Sequence, residues 1–289
     1  MASQISIESE RPELLDRTTA IPPDVEALLP LQTDSISSLI SWDHPRRIRL
    51  PFQQLPSPDT CIVTAPVRWI TTDLLDSPIP SQEWLNDLRR QLEIRLSQAP
   101  PPTGLQHPTV DTLILPLWGI TFWESALHAI NQKAKWIKSQ EWLATQAEEG
   151  MEINAVEELM TRAPWGTTIW PIVESDSPLT LLTDLLSTAW LRERHFDLFA
   201  KYFTTHTKEN ASEWWIGGTY LSILLKGFYD RRDRPARDSN DLADFRKNFI
   251  EKEYKHLIFP GNLNNNHWIA VHVDVTKRIF HYGNLFLVL

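Results

Sequence analysis

The sequence predicts an α+β fold, and three observations carry that reading. Stretches through the middle of the chain place apolar residues at helical spacing. Within Ile258–Leu289, Trp268–Val275 alternates as a strand does and Arg278–Tyr282 is again β-prone, and no segment repeats along the chain. With 289 residues, 42% hydrophobic and 22% charged, the chain has enough apolar side chain for one large core or two smaller ones.

Composition excludes several classes of function. A net charge of −9 argues against a nucleic-acid surface, and the clusters Arg46–Arg49 and Arg231–Arg237 read as solvated faces. No run approaches the roughly 20 apolar residues of a membrane span, and the polar, acidic N-terminus does not read as a signal peptide. Cys61, the only cysteine, cannot form an internal disulfide, which fits an intracellular setting, nuclear or cytoplasmic. With 9 Gly against 21 Pro, phosphate-cradling loops are not expected, and neither GxGxxG nor GxxxxGK[ST] occurs.

Taken in order, residues 1–40 are polar and Pro-containing and read as a poorly ordered lead-in. Residues 41–175 form a mixed, mostly helical, Trp-rich region of unassigned role. It opens with β-like pieces at Arg47–Phe52 and Cys61–Ile70. Ser81 then N-caps a helix with Trp84, Leu85, Leu88, Leu92 and Leu96 on one side, ended by Pro100–Pro102. A short apolar strand is expected at Thr112–Leu117. A long helix follows from Thr121 to Gln146, its stripe running through Phe122, Trp123, Ala126, Leu127, Ile130, Ala134 and Ile137. Residues 150–163 continue as helix, and Thr167–Val173 as a strand.

From residue 176 to 289 the pattern changes. A helix begins after Ser177 and Pro178, and Trp190–Phe196 opens another with Leu191, His195, Leu198, Phe199 and Tyr202 on one side. Further helices are expected at Glu213–Phe228 and Leu242–Lys255. After the Asn-rich loop, His267 heads a strand in which Ile269, Val271, Val273 and Val275 share one face and Trp268, Ala270, His272 and Asp274 the other. Thr276 and Lys277 turn the chain into a second strand over Arg278–Tyr282, making a β-hairpin.

His267-Trp268 at the head of a strand, followed by Tyr282-Gly283-Asn284-Leu285-Phe286 at the end of the next, resembles the histidine motif of the ubiquitin-like-protein-specific cysteine proteases, the SUMO protease family. In that family the second strand ends in a Tyr-x-Asp-Ser-Leu type segment whose Asp orients the histidine, and Asn284 stands at that position here. Trp190 and Leu191 are similar to the Trp-Leu pair that opens the family's catalytic domain and lines its substrate groove. Arg192 and Glu193 replace the Asn/Asp-Asp that follows there. Trp84-Leu85-Asn86-Asp87 also looks like that element, but it reads as a chance helical match so far from His267.

The resemblance implies the front part of a papain-like cysteine protease domain over residues 176–289, truncated after its central hairpin. The implied reaction is hydrolysis of a peptide or isopeptide bond at a ubiquitin-like modifier. His267 would be the base and Asn284 its orienting acceptor, with Trp190, Leu191 and Trp268 along the substrate groove and no cofactor. No thiol follows His267, so the chain as written is expected to be inactive. Cys61 precedes the histidine and reads as a small buried hydrophobe, leaving no nucleophile. A non-catalytic protein-binding module derived from such a domain is the alternative. Metal chemistry finds no HExxH or CxxC, and His272 with Asp274 lacks a third ligand. A serine hydrolase elbow, GxSxG, is also missing.

Overall fold

A computed structural model describes residues 18–168, 179–206, 213–230, 240–263 and 267–284. The chain separates into two compact units, Met1–Thr167 and Thr168–Leu289. Among the described residues, no helix is long and apolar enough to cross a membrane.

The first unit joins helices to a small sheet. Helices α1 (Pro23–Glu26) and α2 (Ile36–Ser41) bury Val25, Ile36 and Leu39, so residues 18–40 are not the poorly ordered lead-in expected of them. Pro22, Pro23 and the Ser35 cap set these short turns, and burial of three aliphatic side chains holds them. Strands β1 (Ile62–Val63), β2 (Gly104–Gln106) and β3 (Ile114–Leu115) form an antiparallel sheet in that order. The β-like piece Arg47–Phe52 makes only a bridge, Arg47 to Ile79, and of Cys61–Ile70 only Ile62–Val63 is strand. Helix α3 covers Thr71–Asp76.

Helix α4 (Gln82–Leu96) begins where Ser81 accepts a hydrogen bond from the Trp84 N–H at 3.3 Å, and it buries Trp84, Leu85, Leu88 and Leu92. The long α5 (Gly119–Glu148) packs against α2 and α4. Its stripe runs through Phe122, Trp123, Ala126, Leu127 and Ile130, then shifts to Trp136, Ser139 and Leu143, leaving Ala134 exposed. Six residues separate Ile130 from Trp136, about 240° around the axis beyond a full turn at 3.6 residues per turn, so the second half of α5 buries a different face. Helix α6 (Asn154–Arg162) closes against α2. The strand expected over Thr167–Val173 lies mostly outside the described residues.

The second unit mixes helices with a four-stranded sheet. After a 3₁₀ turn at Leu179–Leu181 come α7 (Leu182–Leu185) and α8 (Glu193–His206). Helix α8 starts after Trp190 and Leu191 rather than at them. Strand β4 (Trp214–Ile216) occupies the start of the helix expected at Glu213–Phe228, and α9 runs from Thr219 to Asp230. Two consecutive β-prone Trp residues and the Gly217-Gly218 break explain the correction. Gly218 has no room for a side chain, since a Cβ there would sit 2.3 Å from Asp197 Oδ1.

Helix α10 (Asn240–Glu251) leads to β5 (His256–Leu263), a strand missed in the sequence reading. Lys255 and His256, read there as the end of a helix, are instead the approach to and start of this strand. The sheet runs β4, β5, β6 (His267–Asp274), β7 (Ile279–Asn284), with β4 parallel to β5 and the rest antiparallel. Leu257, Phe259 and Val271 share a core with Leu221 of α9, bordered by Phe245 and Phe249 of α10.

Candidate functional site

The hairpin holds three of the residues singled out in the sequence, His267, Trp268 and Asn284. His267 is the first residue of β6, half-buried, opposite Leu263 of β5. Ile269 is the register partner of Asn284 on β7. Because side chains alternate along a strand, His267 shares a face with Ile269.

Trp268 points to the opposite face and is only 6% exposed. Its indole Nε1 donates to the Leu191 carbonyl at 2.9 Å, and its ring packs on Phe196 with centroids 4.4 Å apart. Two segments with the motif residues, 77 positions apart in sequence, therefore meet directly. Beside this contact Trp190 stands 62% exposed. Of the residues expected along a substrate groove, Leu191 and Trp268 are joined by this hydrogen bond, and Trp190 adjoins Leu191 in sequence.

A buried histidine sets the backbone that receives Trp268. His195, on the first turn of α8, is fully buried, and its Nδ1 accepts from the Arg192 N–H at 2.8 Å. That is half of a capping box, with the helix reaching back to satisfy the amide before its first turn. Its Nε2 faces the Leu181 carbonyl at 3.2 Å and the Asp184 carboxylate at 3.3 Å, tying α7 to α8. Next along α8, Asp197 accepts from both the Thr219 N–H at 2.7 Å and the Thr219 hydroxyl at 3.0 Å. This puts a carboxylate at the positive end of α9.

The far half of the Trp268 face carries a row of rings that sequence reasoning missed. Trp214 of β4 stacks on His256 of β5 at 4.2 Å, and His272 of β6 stacks on His281 of β7 at 5.4 Å. His256 Nδ1 and His272 Nε2 lie 3.2 Å apart, a hydrogen bond that needs a proton on one ring and a lone pair on the other. Burial and the neighbouring His256, His281 and Lys277 hold the His272 imidazole below its ordinary value, against the pull of Asp274. Asp274 is itself held below the usual carboxylate range, chiefly by the Lys277 N–H it accepts at 2.9 Å. Alternation marks His272 and Asp274 as neighbours, but His256 joins them only through the pairing of β5.

Among the described residues, no group of three or more His, Cys, Asp or Glu could hold a metal ion. Cys61 lies 2% exposed in the core of the first unit, and burial pushes its thiol up to about 11. A thiol so placed is protonated at neutral pH. No family model, curated protein or solved structure matches this chain.

Proposed function

We propose that residues 176–289 are the front part of a papain-like domain of the SUMO protease family, and that the chain as written uses it to hold a ubiquitin-like modifier. The observation that supports this most is the Trp268–Leu191 hydrogen bond, which unites the histidine motif with the Trp-Leu segment at one place. An exposed Trp190, next to the Leu191 carbonyl that a buried Trp268 holds, suits contact with the extended C-terminal tail of such a modifier.

In the reaction that the resemblance implies, a thiolate attacks the carbonyl after the modifier's terminal glycine. His267 takes up the thiol proton and returns it to the leaving amine, while Asn284 accepts from the imidazole N–H and holds its tautomer. The one cysteine of the sequence, Cys61, is buried in the first unit, so binding without turnover is the expected behaviour of this chain.

The test is a titration of the full chain with a SUMO-type modifier ending in Gly-Gly, alongside a fluorogenic amide of the same modifier. Saturable binding, no fluorophore release and about a tenfold loss of affinity in Trp190→Ala are expected, with an unchanged unfolding midpoint. No binding to SUMO-type modifiers or ubiquitin would remove the reading, as would undiminished binding by the variant.

A further inference from the structure

A cleft in the first unit is lined by Arg46, Arg47 and Arg49 together with Ile48, Leu50 and Thr109. Its volume is about 620 Å³, within the range of small-molecule sites. The three guanidinium groups fall within four consecutive residues of a chain whose net charge is −9. The sequence alone presents them as a solvated face, and the structure gives that face a shape.

The arginine segment is held in place through its backbone. The Ile48 N–H donates to the Ile79 carbonyl at 2.8 Å, and the Ile79 N–H donates to the Arg46 carbonyl at 2.6 Å. Ile79 is fully buried, so this ladder anchors an extended, exposed segment to the core. Arg47 also donates to the Asn131 side-chain oxygen on α5. Among the described residues, no carboxylate forms an ion pair with Arg46, Arg47 or Arg49, and none lines the cleft. Other arginines of the unit find partners, Arg89 with Glu124 and Arg90 with Asp87.

We infer that this cleft binds a small organic molecule bearing more than one phosphate group. Guanidinium forks match phosphate oxygens two at a time. Fixing the backbone before binding lowers the ordering cost on association. Ile48 and Leu50 offer an apolar wall for the rest of the ligand. The phosphates could belong to a soluble molecule or to a lipid headgroup, and the chemistry of recognition is the same.

The experiment is calorimetric titration of the full chain with pyrophosphate at low salt. It is paired with flotation on phosphatidylcholine vesicles with and without a phosphoinositide. Saturable pyrophosphate binding that weakens as salt rises is expected. Arg46→Ala/Arg49→Ala should weaken it by about tenfold or more, while Arg90→Ala/Arg162→Ala leaves it unchanged. Arginine-dependent flotation on the phosphoinositide vesicles would assign the headgroup as source, and its absence a soluble phosphate. The inference is overturned if pyrophosphate does not bind, if the double variant binds it equally well, or if only a long polyanion such as heparin binds.

Discussion

Trp268 and Leu191 are joined by a hydrogen bond of 2.9 Å from indole to carbonyl, across 77 positions of sequence. Phe196 covers the same indole, so the contact couples α8 to β6 through both packing and a polar bond. Trp268→Ala removes both and is expected to destabilise the second unit by about 3–5 kcal/mol. Trp268→Phe keeps a ring against Phe196 but leaves the Leu191 carbonyl unpaired, for an expected loss of about 1–3 kcal/mol. Urea unfolding of the two variants checks the order. Equal stability of Trp268→Phe and the parent chain would show that the hydrogen bond contributes nothing.

The imidazole row predicts a pH dependence. His272 in the folded sheet binds a proton less readily than in the unfolded chain, because burial and then His256 and His281 oppose its charge. The contribution is therefore complete above the unfolded value of about 6.5 and is lost as pH falls through the lower, folded one. The urea midpoint of the second unit should decline as pH drops from 7 toward 5, and His272→Gln should flatten that slope. Asp274, lowered in the folded state, acts in a separate and more acidic window. A midpoint that stays constant between pH 7 and 5 in the parent chain would contradict this account.

Cys61 should be silent in the native protein. With its thiol pushed up to about 11, roughly a thousandth is ionised at pH 8, and burial blocks the reagent as well. Disulfide-exchange reagents should label one thiol per chain in denaturant and almost none without it. Rapid native labelling would return Cys61 to consideration as a nucleophile.

Gly218 is expected to be intolerant of a side chain. Gly218→Ala sets a Cβ against Asp197 Oδ1, which must move away from the Thr219 amide and hydroxyl. Loss of this cap should cost about 1–2 kcal/mol, read from thermal unfolding. A variant as stable as the parent would mean that Asp197 caps α9 from another rotamer.

Periodicity revealed most helices because it is a local property. Ser81 with Trp84, Leu88 and Leu92 announces α4, and the aromatic stripe from Phe122 to Ile130 announces the first turns of α5. The alternation after His267 likewise marks β6, and Thr276-Lys277 lies within the turn that separates it from β7. Strands β4 and β5 escaped. Trp214–Ile216 is too brief to show a period, and Pro260 with Gly261 breaks the apolar run of β5.

His267, Asn284, Trp190, Leu191 and Trp268 are candidates that the chain alone singles out, through the motifs that contain them. Their relation was not. Strand register puts Asn284 opposite Ile269, and a buried His195 holds the backbone that presents the Leu191 carbonyl to Trp268. The stacking of His256, His272 and His281 likewise depends on which strands pair, and the arginine cleft on the anchoring of Arg46 and Ile48 to a buried Ile79. Local pattern reports which face each element will bury. Which faces then meet is decided only when elements far apart in sequence share one core, because hydrogen bonding and burial are satisfied across the chain rather than along it.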